Sequence, residues 1–338
     1  MMNIPMPDNM KKDEIISLLL TEEYGVLPKP PISVNAVEES CDDSFCAGKA
    51  PLKKIRLECK LEEGDFSFPV YYVCPVNAKK PLPCFVHINF RDNVPDRYQP
   101  TEEITDNGYA LLTFCYNDVT MDNDDFTNGL AGVVYPDGKR NNTQCGKIGL
   151  WAWAVMRVFE YALTLPEIDS GKIMVAGHSR LGKTALLAGA LEERFYCAFS
   201  NDSGCSGAAI SRDKVGEHIA EIWDRFPYWF CENYKKYVNN ENSLPFDQHF
   251  LIAANYPHKV YVASAAEDLW ADPEKEYMGC VLASGYYEKH GMKGFVHPDR
   301  NPQVGEFFGE GNIGYHLRAG KHYFSREDWL RYMEFLKK

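Results

Sequence analysis

A serine that attacks a carbonyl needs a raised hydroxyl, a base to take its proton and an acid to orient that base. The stretch Lys172-Ile173-Met174-Val175-Ala176-Gly177-His178-Ser179-Arg180-Leu181-Gly182-Lys183-Thr184 offers the first of these. It reads as a short apolar strand, a tight turn bounded by glycines, and a helix carrying Ala185, Leu186, Leu187, Ala188 and Ala190. Such a turn lifts the Ser179 hydroxyl above the sheet edge, and the helix N-terminus points free backbone N–H groups at the same spot. The usual spacing is G-x-S-x-G, and here the second glycine comes one residue later. The same residues fit an ordinary helix capped by Ser179, so the rest of the chain has to decide.

In the parallel-sheet version of this chemistry the acid follows the serine at the end of a later strand, and the histidine comes last. Two acids stand at such ends, Asp202 and Asp268. Four histidines follow them. His290 lies among charged neighbours at the end of a helix, and His297 precedes Pro298. His316 and His322 share the last loop, residues 309–325, before a final helix at 326–338; Gly320-Lys321-His322 sets His322 on a flexible turn and makes it the favoured base.

Around these groups the chain alternates strands and helices. Helical spacing of Ile15, Ile16, Leu18 and Leu19 predicts a helix over 13–24, which Pro28, Pro30 and Pro31 end. Residues 52–60 and 66–74 read as an antiparallel pair joined by Glu62-Glu63-Gly64-Asp65. The apolar runs 83–89 and 109–116 suit strands buried on both faces, with a short crossover helix at 101–107. Residues 117–146, rich in Asp, Asn and Gly, are expected to form a long surface loop. Helices follow at 148–165 and 278–290, and strands at 195–200 and 259–265. Residues 206–256 form an aromatic-rich insertion with Trp223, Phe226, Tyr228, Trp229, Phe230 and Tyr234. The pattern predicts an α/β fold: one domain over 1–338, a three-layer sandwich on a doubly wound, mostly parallel sheet, with residues 1–50 as a helix and extended lead-in.

A formal charge of −12 over 338 residues argues against nucleic acid or an anionic membrane as partner, since both call for a basic face. No apolar run is long enough to span a bilayer. No apolar stretch resembling a signal peptide precedes Ile15, and the eleven cysteines are an odd, scattered set without C-x-x-C. The expected location is a reducing cytoplasm, or outside the cell if a leader precedes the sequence given. No cluster has metal-ligand spacing and no G-x-G-x-x-G follows a strand, so neither metal nor dinucleotide cofactor is expected.

Gly177-His178-Ser179-Arg180-Leu181-Gly182-Lys183 resembles the nucleophile motif Gly-Cys/His-Ser-Arg-x-Gly-Lys of glucuronoyl esterases. The resemblance continues through Asp202-Ser203-Gly204-Cys205-Ser206-Gly207, Pro227-Tyr228-Trp229-Phe230, Leu244-Pro245-Phe246-Asp247-Gln248-His249, Glu267-Asp268-Leu269-Trp270-Ala271-Asp272-Pro273 and Gly314-Tyr315-His316 to His322. It implies an α/β-hydrolase fold and a carbohydrate ester substrate, the ester of a 4-O-methyl-glucuronoyl group of xylan with a lignin alcohol. It implies Ser179 as nucleophile, His322 as base, Arg180 beside the oxyanion, Lys183 on the uronosyl unit, Trp270 lining the sugar site and, through a looser match, Glu217 as a polar sugar contact. The acid after the sixth strand is often Glu in this family; Asp202 is one methylene shorter. Other members use an acid after the next strand, which Asp268 matches, so Asp268 is the expected orienter with Asp202 second. An acetyl xylan or sugar esterase, and a non-catalytic carbohydrate-binding relative, are the rival readings.

Overall fold

The structure, a computed structural model, describes residues 4–79 and 81–338. Its strands are β1 (Ser33–Asp42), β2 (Leu52–Lys60), β3 (Asp65–Val73), β4 (Leu82–Asn89), β5 (Ala110–Cys115), β6 (Ile168–His178), β7 (Cys197–Asn201), β8 (Lys259–Ala265), β9 (Phe307–Phe308) and β10 (Ile313–Arg318). They form one sheet in the order β1-β2-β3-β5-β4-β6-β7-β8-β10-β9. The six strands from β5 to β10 in that order run parallel, while β1, β2, β3 and β9 pair antiparallel at the two ends. This is the mostly parallel sheet the alternation predicts, and it agrees with the α/β-hydrolase fold the resemblance implies. The order reverses between β4 and β6, and in open parallel sheets ligands bind beyond the carboxyl ends of strands at such a switch.

The helices are α1 (Lys12–Leu19), α2 (Thr101–Asp106), α3 (Tyr116–Val119), α4 (Gly129–Val134), α5 (Lys147–Ala162), α6 (Arg180–Leu191), α7 (Ile219–Arg225), α8 (His249–Ala253), α9 (Pro273–Lys289) and α10 (Arg326–Phe335). Successive strand residues point to opposite faces, and each face has its own core. Val86, Ile173 and Val175 pack with Trp151 of α5 and Leu181 of α6. Phe85, Met174 and Ala176 pack on the other side with Ile104 of α2 and Trp329 of α10. Helices on both faces are what bury these runs.

Four expectations change. The lead-in is not merely extended: it holds β1, a strand beyond those the pattern predicts, which pairs with β2 while nearly all its side chains remain exposed. Residues 117–146 are not a plain surface loop, because they hold most of α3, all of α4 and the buried Val119, Phe126, Leu130, Ala131 and Tyr135. His316 lies in β10 rather than in a loop; its Nε2 donates to Asp328 Oδ1 at 2.9 Å, and Tyr261 Oη sits 2.9 Å from Nδ1. The helix expected at 278–290 begins earlier, at Pro273, where the Asp272 carboxylate accepts the Lys275 N–H.

Candidate active site

Ser179 ends the run of β6 with φ 58° and ψ −127°, a left-handed conformation that costs a non-glycine residue energy. The surroundings hold it there. Its N–H donates to Asn201 O at 2.8 Å, and its carbonyl accepts the N–H groups of Gly182 and Lys183 at 2.9 and 3.2 Å. A Cβ on Gly177 would stand 2.1 Å from Leu181 O, so the chain can fold back this sharply only with glycine there. The late second glycine also has a reason: a Cβ on Gly182 would sit 3.0 Å from both Ser200 Oγ and Ser203 Cβ. The helix therefore packs close to the end of β7.

His322 comes from the turn after β10, and its Nδ1–H donates to Asp268 Oδ2 at 2.6 Å. Asp268 is buried while His322 is 44% exposed, so the acid is held in the wall and the imidazole faces the opening. This bond leaves Nε2 as the nitrogen that can accept a proton. Beneath it His178 places its ring centroid 4.4 Å from that of His322 and donates Nδ1–H to Asn201 Oδ1 at 2.6 Å. Burial, and then the neighbouring His322, hold His178 well below the usual histidine range, so it packs as a neutral ring.

Asp202 makes no hydrogen bond to His322. Its Oδ1 accepts Ala265 N–H at 2.8 Å and its Oδ2 accepts Arg318 Nη2–H at 3.1 Å. Arg318 reaches on to Asp328 through Nε at 3.0 and 3.1 Å. Burial, with Glu276 and Asp328 nearby, pushes the Asp202 carboxyl well above its ordinary range. Two N–H donors on its two oxygens favour the ionised form all the same. Asp202, Asp268 and His322 each offer one ligand atom, all within 4.8 Å of one another. The Asp268 and His322 atoms are joined in a short hydrogen bond and Asp202 faces the Arg318 cation, which suits a proton relay better than a metal.

Arg180, the first residue of α6, is anchored from across the site. Its Nη1–H donates to Asp122 Oδ2, and its guanidinium lies 4.6 Å from the Trp229 ring centroid, 5.3 Å from Phe226 and 5.6 Å from Phe90. Its Nε is buried and has no hydrogen-bond partner among the described residues. Lys183, one turn further along α6, is buried and donates to Ser203 O. Burial lowers its pKa, opposed by the Glu217 carboxylate.

Glu217 is buried, and its N–H donates to Trp270 O at 3.0 Å. A Cβ on the preceding Gly216, at φ +72°, would lie 2.3 Å from Leu269 O, so this segment sits directly on the backbone carrying Trp270. Trp270 is exposed, with the Arg225 guanidinium 5.2 Å from its ring. All eight candidate residues, Ser179, Arg180, Lys183, Asp202, Glu217, Asp268, Trp270 and His322, line one cavity of about 330 Å³, together with Arg225, Phe226 and Trp229. Arg225 and Asp122 were not singled out from sequence, and Phe226 and Trp229 were named there only as part of the aromatic insertion and the family resemblance. For Asp122 the available signal was position, just past the carboxyl end of the buried strand β5.

The chain matches the family model described as glucuronyl esterase, fungi, over residues 57–291. It is 31% identical to carbohydrate esterase MZ0003 of an unknown prokaryotic organism, over 97% of this chain and 84% of that one. It is 29% identical to the 4-O-methyl-glucuronoyl methylesterase of Podospora anserina over 80% of this chain, and spans about half, 54%, of that relative's length. The solved glucuronoyl esterase from Solibacter usitatus superposes with a TM-score of 0.87 at 31% identity, covering 98% of this chain and 92% of that one. With a sheet of this order and an elbow of this geometry already in place, the chain belongs to the glucuronyl esterase family.

Proposed function

We propose that this protein is a serine esterase that hydrolyses the ester of a glucuronoyl or 4-O-methyl-glucuronoyl group, as in glucuronoxylan–lignin links or smaller glucuronate esters. One observation carries the reading: a strained serine, a histidine paired with a buried acid, three cations, two further acidic side chains and an exposed tryptophan all line a single cavity.

In this reading His322 Nε2 takes the Ser179 proton as Oγ bonds to the ester carbonyl carbon. Asp268 fixes the ring through Nδ1 and stabilises the imidazolium that forms. The carbonyl oxygen becomes an oxyanion beside Arg180 and the first free N–H groups of α6. Collapse breaks the bond to the alcohol, which leaves with the proton from His322, and water repeats the cycle on the acyl-serine. Arg318 and Asp202 support the acid side from behind. Lys183 and Glu217 offer a donor and an acceptor for the uronosyl unit, and Trp270 a face on which a sugar ring can stack. The scattered and mostly buried cysteines support a reducing compartment as the place of action.

Hydrolysis of benzyl glucuronate beside an acetylated xylose tests this. Turnover of the glucuronate ester that Ser179→Ala lowers by roughly 10⁵-fold or more is expected. Acetyl turnover alone would move the protein to the deacetylases, and activity surviving in Ser179→Ala would remove the serine mechanism.

A further inference from the structure

The cation beside the reacting serine is held by an acid that lies far from it in sequence. Asp122 is nearly buried, with its side chain 9% exposed, and both of its oxygens are engaged. Oδ2 accepts from Arg180 Nη1 and, at 3.0 Å, from Tyr116 Oη; Oδ1 accepts from Trp229 Nε1 at 2.7 Å. Its own backbone carbonyl accepts from Tyr228 Oη at 3.3 Å. One carboxylate therefore joins the guanidinium to the indole that supports its face.

The segment carrying Asp122 is itself tied down at several points. Its N–H donates to Asn117 Oδ1 at 2.9 Å. The buried Lys147 donates to Thr120 Oγ1 and to Asp125 O, both at 2.7 Å, and Trp151 Nε1 donates to Thr120 O at 3.1 Å. An arginine has five N–H donors in a rigid plane. With Nη1 fixed by Asp122 and the faces flanked by Trp229 and Phe226, the orientation of the plane is set, and the buried Nε is left with no partner among the described residues. The guanidinium is thereby held in the cavity wall beside Ser179, where stabilising a developing charge calls for a cation that need not reorient during reaction.

We infer that Asp122 is a positioning residue that fixes the Arg180 guanidinium in the cavity wall beside Ser179. The inference rests on the proposed role of Arg180 and deepens it. Asp122 touches no reacting atom; it acts through the orientation of the guanidinium and through the tilt of Trp229.

The test is a double-mutant cycle with Asp122→Asn, Arg180→Ala and the pair. Asparagine keeps the shape and can still accept from Trp229 Nε1, while losing the charge that holds Arg180. Two rates are measured: kcat on benzyl glucuronate, and the second-order rate at which diethyl p-nitrophenyl phosphate phosphorylates Ser179. In the second reaction Oγ bonds to phosphorus, p-nitrophenolate leaves, and the serine proton passes to His322. It needs the same donors for the phosphoryl oxygen and does not depend on which ester is the substrate.

Asp122→Asn is expected to lower both rates roughly tenfold to a hundredfold, with KM changed less than about threefold. In the Arg180→Ala background it should cost no more than about twofold. Losses that multiply, or an unchanged Asp122→Asn enzyme, would overturn the inference. If the wild type ignores the glucuronate ester, the substrate reading fails and the phosphorylation rates still decide the role of Asp122. If Asp122→Asn does not fold, Tyr116→Phe removes one bond to the same oxygen. A loss of about threefold that vanishes without Arg180 is then expected, and a loss that persists there would count against the role.

Discussion

On one wall of the cavity His322 and Asp268 meet from the turns that follow β10 and β8, two neighbouring parallel strands whose register places Arg318 beside Ala265. On the opposite wall Arg180 is held by Asp122 and stacked on Trp229, residues that follow β5 and α7 and are joined to each other only through side chains. The first wall inherits its geometry from backbone hydrogen bonds of the sheet. The second depends on a few side-chain contacts from long connections. A group set by sheet register moves only if strands move, whereas a group set by side chains can be re-aimed by one substitution. In the proposed reaction, proton transfer, which fails over fractions of an ångström, falls to the rigid wall, and charge stabilisation, which weakens more gently with distance, to the adjustable one.

The rigid wall can be broken most severely. Asp268→Asn should lower kcat by roughly 10³- to 10⁴-fold, because the amide can no longer fix the imidazole tautomer or stabilise its charged form. Asp202→Asn should cost far less in rate, on the order of 10- to 100-fold, while lowering the melting temperature by loosening a buried ion pair with Arg318. Steady-state kinetics on both variants checks the ranking, and a reversed order would put Asp202 in the orienting role.

The adjustable wall should respond more mildly. Lys147→Met removes the two bonds that tie Thr120 and Asp125 and so frees the segment bearing Asp122. A fall of roughly tenfold in kcat/KM is expected, from misplacement rather than loss of a reacting group. An unchanged kcat/KM would show that the remaining bonds around Asp122 suffice, and would erase the contrast between the walls.

A last effect concerns the floor behind Lys183 and is one of stability, not of rate. Glu23 is fully buried, accepts from Gln248 Nε2 at 3.1 and 3.2 Å, and has its pKa raised to about 8 by burial, against the pull of Gln248. The folded form thus binds its proton more tightly than the unfolded one, whose carboxylate titrates near 4.5. This contribution is fully present below pH 4.5 and is lost as pH rises towards 8, by about 1.4 kcal/mol per unit. Glu23→Gln removes that loss. The melting temperature of the variant relative to wild type should rise steadily from pH 5 to pH 8, and a flat difference would show that Glu23 titrates normally.

The two walls also differ in how far the amino-acid sequence exposes them. The elbow was legible because a strand, two glycines and an apolar helix must follow one another closely for the turn to form. His322, Asp268 and Asp202 were legible because acids and histidines at strand ends come in a set order on this sheet. Asp122 was not, since it lies in a run with Asp118, Asp124 and Asp125 that resembles a solvated loop. Its partners Arg180 and Trp229 are distant in sequence, so only its place beyond the carboxyl end of β5 sets it apart from its neighbours. His316 failed in the opposite direction. A histidine and an arginine in one short stretch look exposed, yet β10 is buried because Asp328 pairs with both. β1 carries Asn, Glu, Ser and Asp with scarcely any buried side chain, so it has no alternation to read and is held at the sheet edge by its pairing with β2.

Arg318 ties Asp202 to Asp328 of α10 and donates to Tyr323 O, one residue from His322. A polypeptide leaves the ribosome N-terminus first, so the elbow emerges well before the groups that would activate it. From the synthesis of Ser179 until that of His322 the nascent chain carries its serine with no base to ionise it. Release before α10 is made would leave Arg318 with one acid instead of two and the His322 turn without its anchor. Truncated products should therefore be inert toward esters, not merely sluggish.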